Sequence, residues 1–200
     1  MLKVATLKTN YYNNDSKMSR KYKILDQTKC YFVTLSVVHW IDVFTRKEYK
    51  DIIIDSLKYC QKNKGLALHA YVVMTNHIHL IISNNEDNKL EYILRDMKKF
   101  TSLKIINAIK NNPVESRKKW LIWMFEKTGQ RNKNNTRYQF WQQHNCPKML
   151  TSSDSLSQKL NYIHDNPLKE GIVNEPDEYL YSSAGNYSGK TLKVLDVELI

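Results

Sequence analysis

The sequence predicts an α+β domain with a central antiparallel sheet flanked by helices. Three observations carry this expectation. Runs rich in β-branched and aromatic residues alternate with amphipathic helical runs, as in a mixed fold. Two of the strand-like runs, Leu66 to Met74 and His77 to Ser83, are separated by Thr75 and Asn76 alone. So short a connection makes a hairpin, and a hairpin pairs its strands antiparallel. The length, 200 residues, supports one sizeable core rather than two.

The elements follow in order. Cys30 to Val38 (CYFVTLSVV) reads as the first core strand. Arg46 to Asn63 places Ile53, Leu57 and Cys60 at helical spacing, and Lys64-Gly65 supplies a stop signal. After the hairpin, Lys89 to Asn112 carries a long 3.6-period stripe (Leu90, Ile93, Leu94, Met97, Thr101, Ile105, Ala108) that Pro113 closes. Ser116 to about Lys127 reads as a further helix, Thr128 to Thr136 as a polar loop, and Arg137 to Gln142 as a short returning strand. Ser152 to Asn166 is the last helix. Ser and Asp near its start suit free backbone N–H groups, and Pro167 is expected to end it. The organisation expected is a polar basic arm over residues 1–28, one domain over 29–187 and a tail over 188–200.

Lys and Arg number 31 against 20 Asp and Glu, giving a formal net charge of +11. The excess is concentrated. Between Lys110 and Arg137 eight basic residues face only Glu115 and Glu126, a local net of +6, whereas Glu175 to Ile200 has a local net of −3. A basic stripe suits a polyanionic partner such as nucleic acid, although surface lysines can simply be solvated. Cys30, Cys60 and Cys146 form no Cys-x-x-Cys pair, which excludes the common zinc and redox motifs and suits a reducing compartment. No apolar run reaches membrane-spanning length and the opening residues are polar. A cytoplasmic protein without a membrane partner is therefore expected.

Two constellations can carry chemistry. His77 and His79 are two apart on an expected strand, so both imidazoles project to one face while Ile78 faces the other. This is a spacing for two ligands of one metal ion; it also occurs in ordinary paired strand histidines. In the last helix, Leu156, Leu160 and Ile163 form an apolar stripe, and Tyr162 and Asn166 lie one turn apart on a face displaced from it. Tyr162 thus emerges beside the core. Its position fits a packing residue with a wet hydroxyl, and Asn166 before Pro167 fits a simple helix end.

Tyr71 to Leu80 (YVVMTNHIHL) resembles the His-hydrophobic-His signature of the HUH single-strand endonucleases in its transposase form. Tyr162 to Val173 (YIHDNPLKEGIV) resembles the tyrosine motif of the REP-associated tyrosine transposases. Phe140 to Gln142 and Tyr179 to Ala184 also match stretches common in that family, and the resemblance runs from about Tyr31 to Tyr187. Thr75 stands where many relatives have Pro.

The resemblance implies a ferredoxin-like palm and a transposase-type endonuclease and strand transferase acting on single-stranded hairpin DNA, the repetitive extragenic palindrome. It implies Tyr162 as nucleophile, forming a 5′-phosphotyrosine, and His77, His79 and Asn166 as ligands of Mg²⁺ or Mn²⁺. Should Pro167 turn the Asn166 side chain away, His164 or Asp165 could substitute. No nucleotide cofactor is implied, and the chain would act as monomer or homodimer. Candidates for the DNA backbone are Lys98, Lys99, Lys104, Arg117, Lys118, Lys119, Arg131, Lys133 and Arg137, and for base stacking Trp120, Trp123, Tyr138 or Trp141. The alternatives are a rolling-circle initiator or relaxase-like nuclease, and a domesticated, catalytically silent hairpin-binding protein.

Overall fold

The computed structural model describes residues 24–85, 88–132, 137–143, 147–191 and 193–200. The expected arm, residues 1–28, lies almost wholly outside the described residues, as do Lys133 and Cys146. Among the described residues the chain runs β1 (Cys30–Ser36), α1 (Lys47–Lys64), β2 (Leu66–Val73), β3 (His77–Asn84), α2 (Leu90–Asn111), α3 (Lys118–Gln130), β4 (Lys148–Leu150), α4 (Ser153–Lys169) and α5 (Ala184–Tyr187). The sheet has the order β2-β3-β1-β4 and is antiparallel throughout, so the expected α+β class holds.

The order follows from the connections. The hairpin makes β2 and β3 neighbours, and α1 carries the chain from β1 past one strand position, so that β3 inserts between them. Gly65 ends α1 in the left-handed region (φ 72°), which a residue without Cβ adopts at little cost. Alternation then sorts the side chains. Ile78, Leu80 and Ile82 on β3 and Val33 and Leu35 on β1 are fully buried in the main core. The opposite parity puts His77 and His79 beside Ser36 and Thr34 on the second face. Helix α1 packs on β2 and α2 on α1, while α4 crosses β2, β3 and β4.

Three local expectations are corrected. Arg137 to Gln142 is not a strand. Trp141 makes a single bridge to Val37, with Val38 N–H donating to Phe140 O (2.9 Å) and Gln142 N–H to Ser36 O (2.8 Å). Strand β1 has ended at Ser36 and its chain turns into a 3-10 turn at Val38–Trp40, so no ladder can extend. Helix α3 runs through Thr128 and Gly129 rather than stopping at Lys127; the Thr128 hydroxyl donates to Met124 O one turn back (2.8 Å). Pro167 does not end α4, which continues to Lys169, because Glu170 N–H donates to Asn166 O (3.1 Å) and Ile172 N–H to Pro167 O (2.9 Å). A proline in the last turn forfeits only one helical bond of its own, and later residues close the remaining carbonyls.

Residues 188–191 and 193–200 fold back on the domain. Leu195 is buried, Gln61 Nε2 donates to Asp196 O (3.0 Å), and Glu198 N–H donates to Leu68 O on β2 (2.9 Å).

Candidate active site

Strand β3 is an inner strand, so His79 is flanked on both sides: Thr34 of β1 and Val72 of β2 are its register partners. Its Nδ1 shares a hydrogen bond with Thr34 Oγ1 (2.8 Å). His77 Nδ1–H donates to Asn76 Oδ1 (2.7 Å), since an amide oxygen only accepts. That bond fixes the His77 tautomer and leaves its Nε2 as a lone pair. The ring centroids of His77 and His79 are 4.6 Å apart. Burial lowers the pKa of His77. Burial, with the nearby His77 and Lys159, pushes that of His79 down to about 3. Both imidazoles are therefore neutral at physiological pH, the form that binds metal.

Helix α4 brings the tyrosine. Its start is set by a reciprocal capping box, in which Ser155 N–H donates to Ser152 Oγ and Ser152 N–H to Ser155 Oγ (3.2 Å each). Ile163 is buried in the core, which turns Tyr162 toward the His face at 39% exposure. The Tyr162 ring lies 5.1 Å from the His79 ring and 5.9 Å edge-on from Phe32, whose own ring stacks on His79 at 5.2 Å. Three residues earlier on the helix, Lys159 Nζ sits 5.1 Å from the Tyr162 ring centroid and 4.9 Å from that of Phe32.

Asn166, one turn after Tyr162, is buried inside α4, and the helix C-cap is Glu170. The helix-end reading of Asn166 therefore falls away. His164 is held by Ser183 Oγ (2.9 Å) and rests on the Tyr187 ring, and Asp165 pairs with Lys169 (3.3 Å), so both suggested substitutes are engaged elsewhere. Among the described residues no cluster of three His, Cys, Asp or Glu could hold a metal.

The donor set fits a divalent ion. His79 Nε2 is buried and has no hydrogen-bond partner. An orphaned imidazole nitrogen is costly unless something else occupies its lone pair, and its Nδ1 is already anchored by a hydroxyl, as metal-ligating histidines commonly are.

Beside His77, Trp40 is 54% exposed and lies edge-on to the imidazole at 5.6 Å. Both His39 (φ 56°) and Trp40 (φ 54°) occupy the left-handed region, an uncommon conformation for such residues that props the indole outward. Thr34, Asn76, Phe32, Trp40 and Lys159 had escaped sequence reasoning. Their roles depend on strand register and helix placement, and only the Lys159–Tyr162 spacing of three was readable beforehand.

The basic candidates divide. Lys99, Lys104, Lys119 and Arg131 are exposed. Arg117 is committed internally, to Glu115 (3.4 Å), Asp42 O (2.8 Å) and Thr45 Oγ1 (3.2 Å). Arg137 pairs with Glu126 (3.0 Å), and Lys98 Nζ donates to Gln142 O (2.9 Å). Lys118 is half-buried at the start of α3. Trp120 and Trp123 are exposed, but Trp141 is a core residue, 5% exposed with its indole N–H donating to Thr101 Oγ1 (3.1 Å), and cannot stack on a base. An apolar cleft between α1 and α2 shares no residue with the His pair.

Residues 28–123, a stretch that holds β1 and the His pair, match the family model described as "Transposase IS200 like". The match stops before α4, so Tyr162 and Asn166 lie outside it. The chain is similar to a solved structure of a REP-associated tyrosine transposase bound to a REP hairpin, with 16% identity, a TM-score of 0.61 and 92% of each chain covered. At that identity the likeness is one of fold. No curated protein sequence matches the chain. Among the described residues no helix is long and apolar enough to cross a membrane.

Proposed function

We propose that the chain is a transposase-type single-strand DNA endonuclease and strand transferase that acts on hairpin-bearing DNA through Tyr162. One observation carries the reading: a half-exposed tyrosine from α4 lies against His79, whose Nε2 is orphaned and whose ring neighbours that of His77 on an inner strand of the sheet.

His77 and His79 would hold a divalent ion, Mg²⁺ or Mn²⁺, with Asn166 as third protein ligand from the nucleophile's own helix. When bound, that ion polarises a non-bridging oxygen of the scissile phosphate. The phenolic oxygen of Tyr162 bonds to phosphorus as the bond from phosphorus to the 3′-oxygen breaks. The phenol proton passes to solvent and the departing 3′-oxygen takes one up. The product is a 5′-phosphotyrosine and a free 3′-hydroxyl. One phosphodiester replaces another, so a second 3′-hydroxyl can reseal the strand by the reverse step without a nucleotide cofactor. A phenol ionises only near pH 10 in water, so its attack depends on placement beside the cationic centre.

The test is a labelled single-stranded oligonucleotide carrying a hairpin, incubated with Mn²⁺ and resolved on a denaturing protein gel. Label should migrate with the protein. Tyr162→Phe should abolish the adduct while hairpin affinity stays within about threefold, because only the nucleophilic oxygen is lost. His77→Ala and His79→Ala should abolish it without unfolding the chain. An adduct undiminished in Tyr162→Phe removes the assignment, and hairpin binding with no adduct in the wild-type chain favours the silent binding protein.

A further inference from the structure

We infer that Lys159 is a phosphate-binding residue of the active site, its ammonium taking a non-bridging oxygen of the scissile phosphate on the Tyr162 side. The inference deepens the proposed function and rests on its reading of Tyr162 as nucleophile.

Geometry carries it. Lys159 and Tyr162 are three apart on α4 and therefore neighbours on one face. The ammonium lies over two rings at once, 4.9 Å from Phe32 and 5.1 Å from Tyr162, and Phe32 in turn stacks on His79. Phe32 is thus a common floor on which the lysine, the tyrosine and the buried histidine are gathered.

Charge points the same way. The eight ion pairs among the described residues include Lys47, Lys169, Lys190 and Lys193 but not Lys159, which has no carboxylate partner there. A half-buried ammonium without a carboxylate partner, set over aromatic rings beside the site, is placed to pair with an anion, and the anion this site receives is a phosphodiester. Apolar rings below the ammonium strengthen its attraction to that anion by excluding water from one side.

A purely structural role would be different: the ammonium would only hold the two rings in register and would be indifferent to phosphate charge. The experiment separates the two roles without metal. Binding is measured in EDTA, in a Tyr162→Phe background, on the hairpin oligonucleotide whose cleavage point the wild-type chain marks. That point carries either its ordinary phosphodiester or a neutral methylphosphonate.

Lys159→Met keeps the alkyl stem and removes the charge. It should weaken binding of the phosphodiester strand about fivefold, the size of one half-exposed ion pair. The slope of log affinity against log salt should fall by about 0.7, as for one single-strand phosphate contact. On the methylphosphonate strand the substitution should change neither quantity, and Lys159→Arg should restore both. Equal losses on the two strands, or none on either, overturn the inference while leaving Tyr162 in place. If the wild-type chain forms no adduct at all, the nucleophile reading falls and this one falls with it.

Discussion

Thr34 and Asn76 do for the imidazoles what no sequence motif announces: each fixes one Nδ1 and thereby aims an Nε2 at the site. Such anchoring groups typically change metal affinity by one to two orders of magnitude when lost. Thr34→Val keeps the shape and removes the hydroxyl. We expect it to raise the Mn²⁺ concentration needed for half-maximal adduct formation by about tenfold, with little change in thermal stability. An unaltered Mn²⁺ titration would mean that the Thr34 hydroxyl does not orient a ligand. The pattern His77-Ile78-His79 was legible because strand alternation alone puts both rings on one side. Thr34 was not, because it lies 45 residues away and becomes a neighbour only through the β1–β3 register.

Helix α4 is the element that places Tyr162, and its position is set at both ends. Ser152 and Ser155 close the first turn, and the bonds running past Pro167 close the last. Ser152→Ala should lower unfolding stability by about 1 kcal/mol in denaturant titrations, as for other lost N-caps, and leave adduct formation at low temperature unchanged. A drop in adduct rate at constant stability would instead show that the cap also sets the position of Tyr162. Much of the element order was readable from periodicity, since Gly65 and the apolar stripes of α1 and α2 are strong local signals. The failures have a shared cause. Phe140 and Trp141 carry strand-like residues because they fill the core, not because they pair, and Lys148–Leu150 is too short to show alternation. Pro167 misled because the penalty of proline depends on how many turns follow it, which local sequence does not disclose.

Across the molecule, Glu115 ties distant segments together. It is 5% exposed and joins Arg46 before α1 (2.8 Å), the Tyr49 hydroxyl within α1 (3.3 Å) and Arg117 at the start of α3. Burial by itself would raise its pKa, but the Arg117 backbone N–H and the Arg46 and Arg117 charges outweigh it and hold the carboxyl below its ordinary 4.5. A depressed folded value means that this contribution is complete above about pH 4.5 and is lost as pH falls through the folded value. Glu115→Gln should cost about 2 kcal/mol at neutral pH, less than a fully buried pair because Arg46 and Arg117 remain about a third exposed (32% and 36%), and should flatten the acid limb of the stability curve. Equal acid sensitivity in the variant and the wild-type chain would place the acid-labile group elsewhere.

The last residues of the chain have a bearing on how copies can meet. Strand β2 lies at one end of the sheet, yet its outer side is already taken: Val73 N–H donates to Tyr181 O (2.9 Å), Ser183 N–H donates to Tyr71 O (2.9 Å), and Glu198 N–H donates to Leu68 O. The opposite end is β4, three residues long and opening on a lysine. Bare strand edges are templates for intermolecular pairing, and short, charged or covered ones resist it. This sheet is therefore sealed against edge-to-edge growth along β2, so copies of the chain can crowd together without their β2 strands zipping into aggregates.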